Sequence, residues 1–469
     1  MAEGTFRVVV VGAGAAGTLV SARLLDSAAL TGRGVSIELV DPAPRSGPGL
    51  AYATSDPRHL LNVPAGRMSA LPGDTDGFVR WLSHREGRRV DPGEYVPRGT
   101  YGTYLADALR HAVEAAGGVA TLHRRYARVV AVEQPTGIGR VRLRLDNGEL
   151  LDADAAVLAL GNLAPSGGWV PEGLRRSPCF VADPWRPGAL DGVPADRDVL
   201  LVGTGLTMCD VSRTLNTPGR TVHAVSRSGL VPLPHTTTPV RTPAFHPGPA
   251  PDPPDLARLR REVLHRAARY RRQYGDWRPA IDELRPHVAE LWQRLSFADR
   301  ERFLTGMLRE WEVSRHRLAP ATSRALTESL RSGLLTVRAA EVVAAQPGEE
   351  AGEEGGSVTV GLSDGCSLTV GAVVNCTGPE GRTGELTDPL ARCLLDSGVA
   401  VAGPHGLGFD TTADGRLVPA PGRTPAPVWT LGQLRRGNLW ETTAIPEIRV
   451  QAAELADRIL AHAPAPLLV

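Results

Sequence analysis

Gly12, Gly14 and Gly17 stand at G-x-G-x-x-G spacing directly after the apolar run of residues 8–11. Glycine at those places permits a tight turn, lets a pyrophosphate approach the backbone and lets the next helix pack close. The helix N-terminus then faces the phosphate. A second apolar stretch, GVSIELVD, ends in Asp41, an acid placed to bind both hydroxyls of an adenosine ribose. Gly203 and Gly205 repeat the turn after VLLV, but Met208 holds the third position, so this helix must sit differently. The stretch RTVHAVSRSG that follows ends in Ser226 and Arg227 rather than an acid. A guanidinium there suits the 2′-phosphate of NADPH; the competing reading of Arg227 is a solvated loop arginine. Two such turns in one chain imply two dinucleotides, one of them a hydride donor to the other.

The elements that must hold these turns in place form a weak internal repeat. Residues 126–162 and 339–378 each read as a strand, a glycine-bearing turn, an alternating strand, an N-G or D-G turn, a further strand and a buried strand ending in glycine. The expected fold is α/β, with two Rossmann-like dinucleotide domains, the NADPH domain inserted into the FAD domain. Residues 1–165 are read as the first part of the FAD domain, 190–375 as the NADPH domain and 376–469 as the C-terminal part of the FAD domain. The acidic run GEEAGEEGG, 348–356, reads as a solvated hairpin tip. The proline-rich stretch 234–255 reads as an extended loop. Beyond it Leu256, Leu259, Val263 and Leu264 recur at helical spacing, and helical patterning runs to about residue 313. This helical insertion, about 250–320, is expected to line a substrate pocket. Its seven arginines between Arg258 and Arg272 read as a charged solvent face, with nucleic-acid contact as the alternative.

Composition narrows the function classes. The 469 residues are 42% hydrophobic and 22% charged with a net charge of +1, which argues against a dedicated nucleic-acid or membrane-surface binder. No apolar run approaches the length of a membrane span and no signal peptide is legible, so a cytoplasmic protein is the expectation. The five cysteines form no C-x-x-C pair and no zinc spacing, so neither a redox-active disulfide nor a metal site is expected. Every one of the 52 basic residues is arginine, which removes Schiff-base chemistry and a P-loop lysine. No G-x-S-x-G elbow and no H-E-x-x-H occurs.

Several longer stretches go beyond a generic dinucleotide fold. GPGLAY (47–52), HLLNVPAGRMS (59–69), FVRWL (78–82) and YVPRGTYGTYL (95–105) form one ordered set. GTGLTMCD with AVSRSGLVPLPH (224–235), WEVSRHRLAP (311–320) and LGQLRRGNLWETTAIPEIRVQA (431–452) complete it. Together they resemble the FAD/NAD(P)-binding family, of class B-like flavoprotein monooxygenases, that includes the aspartate N-monooxygenase forming nitrosuccinate and a bacterial FAD-dependent urate hydroxylase. The resemblance implies that Gly12, Gly14, Gly17 and Asp41 bind the ADP part of FAD and that Gly203, Gly205 and Arg227 bind NADPH. It also implies that Arg98 lies close to FAD and that residues 59–68 pass near the flavin ring. Asn62 is then either a hydrogen-bond partner of the ring or a loop-stabilising residue. Many two-dinucleotide flavoproteins carry Gly-Asp near the C-terminus, the acid at the ribityl chain; here the pair is Gly432 and Gln433. Trp440 and Thr442 are expected against the ring, ahead of a helix whose positive end would face the pyrimidine oxygens.

The implied reaction is reduction of FAD by NADPH, formation of a C4a-(hydro)peroxyflavin with O₂, and oxygen transfer to a small, polar, anionic nitrogen compound. N-hydroxylation of an amino acid such as aspartate leads, with urate hydroxylation as the alternative. Arg315 and Arg317 read either as two forks for a substrate carboxylate or an anionic purine, or as arginines pairing at a helix end. His235 reads as a proton-transfer group or as a loop ligand to backbone. Two further classes compete: an NAD(P)H:acceptor oxidoreductase, and a binding module that keeps FAD as a structural ligand.

Overall fold

The computed structural model describes residues 5–44, 46–133, 139–236, 255–347 and 356–463. Residues 237–254 of the proline-rich stretch and 348–355 of the acidic run lie outside the described residues. The chain divides into two units: 1–55, 63–163 and 381–469 form the first, and 56–62 with 164–380 form the second.

In unit one a five-stranded parallel sheet runs in the order Val428–Thr430, Ala155–Leu158, Phe6–Val11, Val35–Val40, Ala120–Arg125. Its first strand pairs in register with the second, Val8 opposite Ile37 and Val10 opposite Leu39, and residues 8–11 are buried on both faces. This is the continuous apolar run a covered parallel strand requires. The helices Ala15–Thr31 and Ile445–Ala461 pack against each other, and Arg98–Ala115 packs on Ala15–Thr31. An antiparallel meander, Val129–Glu133, Val141–Leu145, Leu150–Ala153, precedes the fourth parallel strand of the chain.

Unit two repeats the plan. Its parallel sheet runs Leu335–Ala339, Val222–Ser226, Val199–Val202, Ala372–Asn375, Phe180–Val181, and its meander is Val342–Pro347, Val358–Leu362, Ser367–Val370. The α/β class and the two Rossmann-like sheets expected from the repeat are therefore present.

The helical insertion begins with Leu256–Tyr274, where the Asp255 side chain accepts from the Ala257 amide as an N-cap. Four helices, Pro279–Asp282, Val288–Arg294, Phe297–Gly306 and Leu308–Arg315, follow. A longer one, Pro320–Arg331, continues past the expected boundary and leads into the strand Leu335–Ala339. Periodicity mislaid one face of the first helix: Leu264 is 53% exposed, whereas Tyr270 is buried. Of the seven arginines, all but Arg266 are exposed, and Arg266 is held by Glu262 and Glu283.

Candidate functional site

The first glycine turn is shaped by close backbone approach. Gly12 takes φ +99°, and a Cβ there would run into the Ala159 carbonyl. Its amide donates to Val40 O at 2.8 Å. A Cβ on Gly17 would strike Gly12 O, so only glycine lets the helix Ala15–Thr31 start against the turn. Gly14 is the N-cap and among the described residues no side chain caps the helix, which leaves first-turn amides and the positive end of the dipole open to an anion. GPGLAY lies on this loop: Gly47 N donates to Ala13 O at 2.8 Å, and a Cβ on Gly14 would come within 3.3 Å of the Gly49 Cα. Asp41 Oδ2 accepts the Ala13 amide and Oδ1 the Ala43 amide, each at 2.7 Å. Each oxygen keeps a lone pair for a ribose hydroxyl.

The C-terminal part of unit one builds a second cluster. Gly432 takes φ +71°; its amide donates to Gln451 Oε1 at 3.3 Å and its carbonyl accepts from Thr442 Oγ1 at 3.3 Å. Gln451 Nε2 donates to Thr442 Oγ1 at 2.8 Å, and Arg435 Nη1 donates to Gln451 Oε1 at 3.4 Å. Beside it the buried Gln433 Nε2 has no partner among the described residues. A buried amide donor left unpaired costs stability unless a ligand takes it, so the group fits a bound polar chain such as a ribityl or phosphate. Trp440, buried under the Arg436 guanidinium 4.3 Å from its ring centroid, sits at φ +61°, ψ −73°, a strained γ-turn geometry. The helix Ile445–Ala461 follows, again with no side-chain cap. Arg98, half-buried, opens the helix Arg98–Ala115. Burial pushes the nearby Tyr52 hydroxyl up to about 12, with the Arg98 charge opposing.

In unit two the second turn repeats the first. Gly203 takes φ +110°, a Cβ there would collide with the Cys376 carbonyl, and its amide donates to Val225 O at 2.7 Å. Gly205 caps the helix Leu206–Leu215 without a side-chain bond, and a Cβ on it would meet nothing within 4 Å. Met208, where the fingerprint has glycine, is fully buried in the core with Val199, Leu201 and Val222. Arg227 is 87% exposed, its Nε 4.0 Å from Glu341 Oε1.

The structure gathers Asn62, His235, Arg315 and Arg317 within unit two. Residues 233–235 pair with the chain at 318: Leu318 N donates to Leu233 O and His235 N to Leu318 O, both at 2.9 Å. His235 Nε2 donates to Asn62 O at 2.9 Å, the loop-ligand role rather than a free ring. Arg278 Nε donates to Pro234 O at 2.8 Å, and its Nη1 lies 2.9 Å from Asp276 Oδ1. Arg317 is 2% exposed and paired with Asp282; its Nε has no partner among the described residues. Burial lowers the Arg317 pKa, Asp282 opposes this, and the charges of Arg315 and Arg278 reinforce it. The Arg315 and Arg278 guanidiniums thus lie near the Arg317–Asp282 pair.

Residues 56–62 pack in the same unit through contacts that sequence reasoning missed. Asp56 is gripped by Arg58 and accepts from Thr214 Oγ1 at 3.0 Å. The buried His59 ring donates from Nε2 to Thr214 Oγ1 at 2.9 Å and to Asp210 O at 3.1 Å. Gln451 was missed as well; a glutamine on the buried face of an amphipathic helix was its one signal. All five cysteines are free, and among the described residues no group of three His, Cys, Asp or Glu side chains is gathered to hold a metal. Among the same residues no helix is long and apolar enough to cross a membrane.

Residues 9–163 match the family model described as FAD-NAD(P)-binding. No curated protein matches the chain. Among solved structures, the ornithine N-hydroxylase of Kutzneria sp. 744 with reduced FAD, NADP⁺ and L-ornithine is 16% identical with a TM-score of 0.65, covering 98% of this chain and 100% of that one. The ornithine hydroxylase of Pseudomonas aeruginosa in reduced form is 17% identical with a TM-score of 0.63 over the same shares. L-Lysine 6-monooxygenase from Pseudomonas syringae is 17% identical with a TM-score of 0.61, over 97% and 99%. At these identities the likeness is one of fold.

Proposed function

We propose that this chain is a FAD- and NADPH-dependent monooxygenase that hydroxylates the nitrogen of a small, polar, anionic substrate, with an amino acid such as aspartate as the leading candidate. One observation carries the reading: two parallel sheets, each followed by a glycine turn and an uncapped helix start, stand ready for two dinucleotides. FAD fits unit one, where Asp41 and the Gly12–Gly17 loop would hold its ADP end and the unpartnered Gln433 amide its sugar-phosphate chain. Bound FAD supplies the capacity to take hydride and activate O₂, which the side chains here lack. NADPH fits the Gly203–Gly205 turn of unit two, with Arg227 toward its 2′-phosphate. The protein's own work is then binding and positioning. The uncapped start of Ile445–Ala461 favours negative charge on whatever group it faces. Arg315, with Arg317 and Arg278 beside it, favours a carboxylate-bearing substrate.

The test is substrate-dependent turnover. The purified yellow protein is given NADPH and O₂ with aspartate, other amino acids including ornithine and lysine, or urate. A hydroxylamine or nitro product formed in step with NADPH loss supports the reading. NADPH oxidation that yields only H₂O₂ across the panel favours the acceptor-oxidoreductase alternative.

A further inference from the structure

Arg309 belongs to no dinucleotide fingerprint, yet it reaches into one. It lies on the helix Leu308–Arg315 of the helical insertion, far along the chain from the second glycine turn. Its Nη2 donates to Leu230 O at 2.6 Å and to Thr204 O at 3.1 Å, and lies 3.2 Å from Thr204 Oγ1. Thr204 Oγ1 in turn donates to Leu230 O at 2.6 Å and shares a 2.8 Å hydrogen bond with Ser226 Oγ. Ser226 Oγ also accepts the Gly229 amide at 3.1 Å. Thr204 is the middle residue of the Gly203–Gly205 turn, and Ser226 ends the next strand, Val222–Ser226. The guanidinium is therefore fixed where the glycine turn meets the end of that strand.

In a dinucleotide-binding fold the adenosine ribose lies between those two segments, its 2′-oxygen toward the strand end. A phosphate there carries between one and two negative charges at neutral pH and is best met by more than one cationic fork. Arg227, the sequence candidate, is 87% exposed and faces Glu341. Among the described residues Arg309 is anchored through Nη2 alone, and Nη1 meets only Glu312, one helical turn on, at 3.5 Å. That leaves Nη1 and Nε to donate to an incoming phosphate. Both residues of the Arg309–Glu312 pair are about one-third exposed, so solvent screening keeps the pair weak and exchangeable.

We propose that Arg309 is the second cation of the NADPH 2′-phosphate site and sets the preference for NADPH over NADH. This rests on the NADPH reading above. The test is direct binding to the oxidised holoenzyme of two fragments: 2′-AMP, which has the phosphate in question, and ADP-ribose, which lacks it. In Arg309→Ala the affinity for 2′-AMP falls about 10- to 100-fold, while ADP-ribose binding changes less than about threefold. Arg309→Gln, which keeps amide donors for Thr204 and Leu230 but no charge, shows the same selective loss. Equal losses for both fragments mean that Arg309 only props the loop, and no loss for either means that it does not meet the ligand; both results overturn the proposal. A wild-type protein that binds neither fragment brings down the NADPH reading itself, and this inference with it.

Discussion

Asp41 Oδ2 accepts the backbone amide of Ala13 at 2.7 Å, so the acid at the end of the second strand is also a brace of the glycine turn. Asp41→Ala removes a charged acceptor from a buried amide, a change of about 1.5–3 kcal/mol. The variant is expected to purify with less FAD and to bind added FAD at least tenfold more weakly. Asp41→Asn keeps an acceptor oxygen and retains more flavin than the alanine. Flavin-to-protein absorbance ratios and FAD titration of the apoprotein measure both.

Gln451 is the hub of the C-terminal cluster, bonded to Gly432, Thr442 and Arg435. Gln451→Leu fills the space but leaves the Gly432 amide and the Thr442 hydroxyl without that partner. Unpaired buried polar groups cost about 1–3 kcal/mol each, so a lower melting temperature and weaker flavin retention are expected in scanning calorimetry. An unchanged transition would mean that the network does not hold the turn.

The Arg58 guanidinium holds the Asp56 carboxyl well below the usual carboxylate range, with burial opposing and Thr214 assisting. A depressed pKa means stability present above the unfolded value and lost as pH falls through the folded one. Asp56→Asn is therefore less stable than wild type at neutral pH, and the gap narrows below about pH 5. Urea midpoints of the two proteins across the acid range give the answer. A gap that stays constant with pH would assign the anchoring to something other than this ion pair.

Arg227→Glu reverses the charge that the sequence places at the 2′-phosphate. The KM for NADPH is expected to rise far more than that for NADH. If both change alike, Arg227 is the solvated loop residue that its exposure also allows.

The glycine turns were legible because their geometry is local. A Cβ at Gly12 or Gly17 would clash with carbonyls that the same short turn and its sheet neighbour must supply, so residue type and spacing carry the information. The repeat of meander and parallel strand was legible for the same reason: alternation and turn residues are read over a few positions. Contacts between distant segments were not. Thr214 is bonded to His59, Arg309 to Thr204 and Asp282 to Arg317, and no periodicity in one segment names its partner in another. The first helix of the insertion shows a limit of pattern reading too. Leu264 fits the apolar stripe but is exposed, while Tyr270 is buried and donates to the Glu283 carboxylate at 3.0 Å.

The central claim is that one chain binds FAD and NADPH and moves hydride from the second to the first. Anaerobic addition of NADPH to the purified holoenzyme tests it most directly. The account predicts loss of the visible flavin band in a single saturable phase that is faster with NADPH than with NADH. A yellow protein whose flavin band is untouched by excess NADPH would contradict the account and leave FAD as a structural ligand.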